Sequence, residues 1–324
     1  MSGPSLPSLA VYGVDYHGVG INLGTPFSLT FHSVLTQPYE ELTVWVKGAA
    51  NQFYSLGLTL DGQTFFDGLV LSQQREKTLD GDRLKLVCRS KPGYLMTENQ
   101  INPYVYFQVT GEAAVQTYAV PCGIEGLRVD ESKTVARMLV SERQSYWDYL
   151  TVFFMRAYGK LPYVARDNYI ELTPYSGRSL MLSNRQTDGI AYLDFADHFK
   201  IQMVSSVWFY TGSDDFGDLY EEGYSNAVAA IYGAKKELYV NPTRAWVLDH
   251  ARYADYLFYK SMVDSRAIEV TMAGMPDIHK GDSVVFDRDS TMTGNLYVGE
   301  KRIETTGQGV TTTVWLWDKQ FHKL

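Results

Sequence analysis

Three pairs of adjacent carboxylates are the residues of this chain best suited to acid–base chemistry: Glu40-Glu41, Asp214-Asp215 and Glu221-Glu222. A glycosidase needs two carboxylates at a set separation, and one of them must lie in a protected site that raises its pKa. The segment around Asp214 and Asp215 is rich in Gly and Ser, which is typical of a solvated loop. We therefore predict no catalytic residue among these acids.

Histidine is the other residue type that could carry chemistry here, and the six histidines form no recognisable metal motif. Neither His-x-His nor His-Glu-x-x-His occurs, and these are spacings that bring two imidazoles to one metal ion. We read each histidine as a surface or partly buried residue and predict no metal site. The six are His17, His32, His198, His250, His279 and His322.

Two further segments resemble sites only in part. The segment from His17 to Gly24 holds three glycines, but the third comes one residue late for a dinucleotide loop, and the chain then continues as a strand. Without a helix N-terminus there is no place for a pyrophosphate, so no cofactor is predicted.

Cys88 and Cys122 are too few for a disulfide framework or a four-thiolate zinc site, and Cys122 lacks a companion histidine motif. Both are expected to be buried thiols.

The composition is that of an ordered globular protein. The chain has 324 residues, of which 45% are hydrophobic and 14% aromatic, including 24 Tyr, so it can form two or three domains. Its net charge of −8 argues against a sequence-independent grip on nucleic acid, which requires clustered Lys and Arg. No apolar run is long enough to span a membrane as a helix, and the N-terminus does not resemble a signal peptide.

Hydrophobic patterning predicts a mainly β chain with an α+β module. Residues 1–90 read as short apolar or alternating strands, which suits a small barrel or a sandwich. Residues 91–175 read as the α/β module, with a helix at 145–158 and a hairpin after it. Residues 176–324 read as further strand-like runs with a helix over 243–264 and a final β-meander.

The helix at 145–158 carries the clearest local signals. Ser145 and Asp148 have the spacing of a capping box, and Gly159 is a plausible left-handed stop. For the second helix we expect Asn241-Pro242-Thr243 to set the start and Asp264 to mark the end.

Two β-meanders far apart in the chain look alike. In both, a paired apolar stretch meets a glycine and continues as a strand, and a Gly-containing turn leads to the closing strand. Repetition of a supersecondary unit indicates repeated architecture. The first meander spans 56–88 and the second spans 283–317.

Seven segments carry a resemblance to a known family: residues 145–154, 157–164, 169–172, 252–257, 274–284, 294–299 and 311–316. Taken together, they resemble baseplate-hub proteins of Mu-like phages, Bacillus defective phages and related tail-like bacteriocins. The resemblance covers roughly residues 55 to 317.

The resemblance implies a structural homotrimer in the baseplate of a virion or tail-like particle, made in the cytoplasm of a bacterial host. Each chain would carry two tube-like β-barrels, one in residues 1–90 and one in residues 176–324, together with a small α/β module and one long helix. Three chains with two barrels each would match a hexameric tail tube. The expected partners are the tail-tube, central spike, tape-measure and other baseplate proteins, with DNA only in passage. The family shares no catalytic residues, so none is assigned and no enzyme is expected. Two alternatives remain open: a tail-associated cell-wall hydrolase, or a carbohydrate-binding module with exposed Tyr and Trp platforms.

Overall fold

A computed structural model describes residues 8–48, 51–79, 81–129, 131–173, 178–185, 189–200, 202–214, 217–287, 296–306 and 309–322. About half of the described chain is β-strand, and short helices account for the remaining regular structure. The mainly β fold with an α+β module, predicted from the sequence, is confirmed.

The N-terminal barrel is built from alternating strands. Along β3, β4 and β7 every second side chain is buried, because one face of each strand packs on the core and the other does not. Side chains from β3 meet those of β5 and β1 in one cluster although β3 is several strands away from both in the sheet, so the sheet curls around its core. The strands are β1 (Leu9–Asp15), β2 (Gly20–Gly24), β3 (Ser28–Val34), β4 (Glu40–Lys47), β5 (Phe53–Leu60), β6 (Gln63–Thr78) and β7 (Gly81–Ser90).

A first α/β module follows, with its own core around α3. The predicted capping box is confirmed: Ser145 Oγ accepts from the Asp148 amide at 3.1 Å, and Asp148 Oδ2 accepts from the Ser145 amide at 3.2 Å. Gly159 ends the helix with φ 66°. The predicted hairpin is also present as β11 and β12. The elements are α1 (Lys91–Glu98), β8 (Val105–Thr110), α2 (Gly111–Tyr118), β9 (Gly126–Arg128), β10 (Thr134–Leu139), α3 (Tyr146–Tyr158), β11 (Tyr163–Val164) and β12 (Tyr169–Glu171).

The C-terminal barrel consists of two strands before a long insertion and four strands after it. Their buried side chains form one apolar cluster, to which β13, β20, β21, β22 and β23 all contribute. The strands are β13 (Ser179–Leu182) and β14 (Asp194–Phe199), then β20 (Arg266–Ala273), β21 (Ser283–Phe286), β22 (Leu296–Thr306) and β23 (Gly309–Asp318).

The insertion between β14 and β20 is a second α/β module with a separate core. In it β15 pairs in parallel with β19 and antiparallel with β18, and α5 packs on the sheet. Within residues 176–324 the sequence pattern does not distinguish this module from the strands around it. Its elements are β15 (Val204–Phe209), β16 (Gly212–Asp214), β17 (Gly217–Leu219), β18 (Glu222–Ser225), α4 (Ala227–Ile231), β19 (Lys236–Val240) and α5 (His250–Met262).

The helix predicted over 243–264 begins later, at His250. Thr243 instead begins a turn, in which its carbonyl accepts hydrogen bonds from the amides of Trp246 and Val247. Trp246 then packs into the core of the first module. The side chain that caps α5 is Asp249, whose Oδ1 accepts from the Arg252 amide at 3.2 Å.

One 13-stranded sheet runs through both barrels. Along its main path the order is β14-β20-β23-β22-β3-β4-β7-β6-β5-β1-β2, and β21 and β13 branch from β22. The two barrels are therefore joined edge to edge through β3 and β22.

Candidate functional site

The join between β3 and β22, which we call the seam, is the most distinctive feature of the described chain. Its antiparallel ladder runs from Glu300 opposite Val34 to Thr305 opposite Leu29. Ile303 of the C-terminal strand is fully buried in the N-terminal core, beside Phe31. The seam is thus a packed interior, in which one barrel completes the core of the other.

At the seam β22 exchanges one partner strand for another. Leu296 and Tyr297 pair with β21, whereas the strand from Glu300 onward pairs with β3. A bulge at Gly299 separates the two stretches, and the Leu35 amide donates to the Gly299 carbonyl at 2.8 Å. A Cβ at position 299 would lie 1.9 Å from the Trp317 ring, so only glycine fits.

A buried lysine lies on the seam strand. Lys301 is 4% exposed, and its Nζ donates to the Ile278 carbonyl at 2.6 Å. Burial lowers its pKa to about 8, although the carboxylates of Glu40, Asp277 and Asp282 act in the opposite direction. The side chain borders a cavity of about 200 Å³ between the N-terminal barrel, the first module and the loop before β21.

The two meanders are alike residue by residue. Both are antiparallel, and in both the middle strand bulges at the same point of its ladder with the closing strand, after Val70 in β6 and after Val298 in β22. The next strand outward also agrees, because β4 lines up with β20. The repeat suggested by the sequence is confirmed. The matched pairs, all fully buried, are Leu42 and Ile268, Val44 and Val270, Val46 and Met272, Leu86 and Val314, and Cys88 and Leu316.

The acidic pairs do not form a paired-carboxylate site. The Glu222 carboxylate accepts from Tyr224 Oη at 2.5 Å and contacts His250 Nδ1 at 2.6 Å. These hydrogen bonds, that from Tyr224 first, lower the pKa of Glu222, whereas a glycosidase acid needs a raised pKa. Glu40 accepts from Ser33. The remaining members are accounted for as follows: Glu41 pairs with Arg89, Glu221 is exposed, and the side chains of the Asp214-Asp215 pair lie outside the described residues.

The histidines lie apart from one another. His32 and His198 occupy matched positions on β3 and β14, His250 begins α5, and His279 contacts Asp277 at 2.7 Å. Burial lowers the pKa of His279 to about 4. Among the described residues, no group of three or more His, Cys, Asp or Glu side chains could hold a metal ion. His17 is exposed in a turn, and the side chain of His322 lies outside the described residues.

Both cysteines are buried free thiols in different cores. Cys88 lies in the N-terminal barrel and Cys122 in the first module. Desolvation raises the pKa of Cys88 to about 12 and also raises that of Cys122, which disfavours a nucleophilic thiolate. The glycines between His17 and Gly24 serve a turn and strand β2, with φ 79° at Gly18.

Exposed tryptophan platforms are not part of this surface, since all six tryptophans are buried or half-buried. The exposed aromatic side chains are Tyr and Phe, scattered over the barrels and modules, with Tyr16, Tyr104 and Phe107 among the most accessible. No helix in the described ranges is long and apolar enough to cross a bilayer.

Comparison with known proteins gives matches in structure only. No family model matches the chain, and no curated protein matches its sequence. A tail protein from Neisseria meningitidis MC58 superposes with a TM-score of 0.71 over 98% of both chains, at 14% identity. The 43 kDa tail protein of prophage MuSo2 from Shewanella oneidensis also gives 0.71, over 97% of this chain and 99% of that one, at 10% identity.

The chain has the fold of phage tail proteins. A third match extends this fold to an Escherichia coli component of the type VI secretion system, itself described as similar to T4 bacteriophage tail proteins. The TM-score there is 0.57 over 96% of this chain and 76% of that one, at 10% identity. The fold expected from the sequence resemblance is therefore confirmed.

Proposed function

We propose that this protein is a structural component of a phage tail or tail-like particle, and that it acts as a baseplate hub without enzymatic activity. The observation that carries the proposal is the pairing of two matched barrels in one chain through the β3–β22 seam. A chain built this way presents two copies of one unit side by side. Three such chains would present six units.

The hub would be a homotrimeric adaptor between a hexameric tail tube and a central spike, forming part of the channel. Closed rings of identical chains use head-to-tail contacts, in which one surface of each chain meets a different surface of the next. An obligate interface of this kind buries more than about 2,000 Å². The open strand edges at β14 and β6 are suited to such contacts, because unpaired backbone groups favour pairing with another chain.

The proposed partners are the tail-tube protein, the central spike, the tape-measure protein and other baseplate proteins. DNA would only pass through, which agrees with the net charge of −8. The protein would work in the baseplate after synthesis in the host cytoplasm.

Mass measurement is the first test. Light scattering on the purified full chain should give three times the chain mass of 36.7 kDa. Cryo-electron microscopy of particles from the producing strain should then place the chain between tube and spike. A single-chain mass at all concentrations, together with particles that lack the chain, would contradict the proposal.

A second test addresses the hydrolase alternative. Purified chain should leave a peptidoglycan zymogram intact. Clearing that is lost on changing Glu222 to Gln would instead favour the hydrolase.

A further inference from the structure

Several strands of the large sheet have an open edge in the described part of the chain, and two of these edges, on β14 and on β6, concern the seam. β14 pairs with β20 alone, and β6 pairs with β7 alone beyond Leu69. Most side chains of β14 are exposed, including that of Phe199. A long open edge of this kind is a template for pairing with another chain.

The internal repeat assigns a role to both edges. β4 and β20 match, and on one side their neighbours β7 and β23 match as well. The neighbours on the other side, β3 and β14, are therefore also counterparts. In the same way β6 is the counterpart of β22. Within the chain, the counterparts β3 and β22 pair with each other to form the seam. The two open edges are therefore the two halves of a second seam that one chain cannot close by itself.

Side-chain contacts support the match between β6 and β22. Lys301 is the second residue after the bulge in β22, and its Nζ donates to the carbonyl of Ile278 in the preceding loop. Gln73 is in the same place in β6, and its Nε2 donates to the Asn51 carbonyl at 2.8 Å. The loop before β5 therefore contacts β6 in the same way as the loop before β21 contacts β22. In β22 this contact leaves the strand edge accessible to β3.

We propose that β14 of one copy pairs antiparallel with residues 72–77 of β6 in the neighbouring copy, in the register of the β3–β22 seam. The inference rests on the proposed ring assembly and names the strands that close it. Carried over from the seam, the register places Arg75 opposite Asp197, where the internal seam has Ile303 opposite Phe31. The other opposed pairs are Ser72 and Lys200, Gln73 and Phe199, Gln74 and His198, Glu76 and Ala196, and Lys77 and Phe195.

The chemistry of the central pair agrees with this register. Asp197 and Arg75 are both exposed in the single chain, whereas Phe31 and Ile303 at the matched positions are buried. Opposite charges directly across two strands stabilise the pairing. The contact is head-to-tail, so it can close a ring.

Disulfide trapping in the full chain tests the seam. Directly opposed residues bring their Cβ atoms close to disulfide distance, so an R75C/D197C chain should form covalent trimers under mild oxidation. Mixing R75C chains with D197C chains should give covalent dimers, and each variant alone should remain uncrosslinked. Both positions are exposed, so the substitutions should not affect folding.

The register has its own control. In R75C/A196C the second cysteine lies on the opposite face of the sheet, so cross-linking should fall at least about tenfold.

Charge reversal gives an independent readout: D197R should weaken assembly several-fold, and adding R75D should restore it.

The outcomes separate this inference from the proposed function. A trimeric mass without R75C/D197C cross-links, or with equal yield from R75C/A196C, would overturn the seam and leave the hub proposal intact. A single-chain mass at every concentration would overturn the ring and the seam together.

Discussion

The middle strands of the two meanders, β6 and β22, run alike up to their bulges and differ beyond them. Past its bulge β22 carries a buried lysine and a buried isoleucine and is paired on both sides. Past its bulge β6 carries Gln73 and Arg75 and, within the described residues, is paired on one side only. The same backbone template thus gives an interior seam in one place and an open edge in the other.

The largest expected effect comes from exchanging the residues at the two bulges. Gly299 and Leu71 are counterparts, but Gly299 packs under the Trp317 ring and Leu71 is 38% exposed. Gly299→Leu should lower the free energy of unfolding by more than about 4 kcal/mol or prevent folding, because the side chain has no space. The matched change Leu71→Gly should cost only about 1 kcal/mol. Urea denaturation of both variants measures the difference, and similar costs would break the comparison.

Truncating the buried seam residue should have the next largest effect. Ile303→Ala removes core contacts beside Phe31 and should lower the free energy of unfolding by about 3 kcal/mol. Arg75→Ala removes no core contact within the chain, so its effect should appear in the assembled mass and hardly in unfolding at dilution. Urea denaturation and light scattering together distinguish the two. An unfolding cost for Arg75→Ala close to that of Ile303→Ala would contradict the match.

Lys301→Gln replaces the buried lysine by glutamine, the residue found at the matched position 73 of β6. The glutamine can still donate to the Ile278 carbonyl without burying a charge, so the variant should be more stable at pH 7 by about 2 kcal/mol.

The gain should depend on pH. The folded pKa of Lys301 is about 8 and the ordinary value is 10.5, so between these values the unfolded chain holds the proton more tightly than the folded chain. Wild-type stability should therefore rise with pH relative to the variant, and the gap should close near pH 10.5. Unfolding curves at pH 7, 8.5 and 10 check this. A gap that is constant across this range would contradict it.

The smallest effect concerns the matched histidines. His32 Nε2 and Glu300 Oε1 are 2.8 Å apart across the seam and half-buried, whereas His198 contacts Glu269 at the exposed edge. His32→Ala should cost about 1 kcal/mol and His198→Ala less than about 0.5 kcal/mol, because solvent screens the exposed pair. Thermal unfolding of the two variants measures both. Equal costs would show that the seam does not protect its pair.

Helix ends that are fixed by neighbouring residues could be predicted from the sequence. The capping box at Ser145 and the stop at Gly159 gave α3 almost to the residue, because cap and stop lie within the helix's own turns. The start of α5 was predicted wrongly, because Thr243 offered a plausible cap and the true one, Asp249, comes after a turn whose Trp246 packs into another module.

Non-local features were harder to predict. The repeat was recognised by its glycines, but these are not counterparts: Gly68 matches Leu296, and Gly299 matches Leu71. The seam itself joins residues as distant as Leu29 and Thr305, and no periodicity in either strand indicates its partner. The candidate assembly edges follow from the seam, so they too could not be read from the sequence.

The connection between β14 and β20 holds a whole module, whereas the matched connection between β3 and β4 is a short turn. Adjacent antiparallel strands begin and end this segment at one end of the barrel, and lengthening such a connection costs little conformational entropy. The barrel sheet therefore accommodates a whole module at this connection, and the module in turn contributes side chains to cores elsewhere in the chain: Trp246 to the first module, and Tyr259 to the cluster around Tyr297 and Trp317.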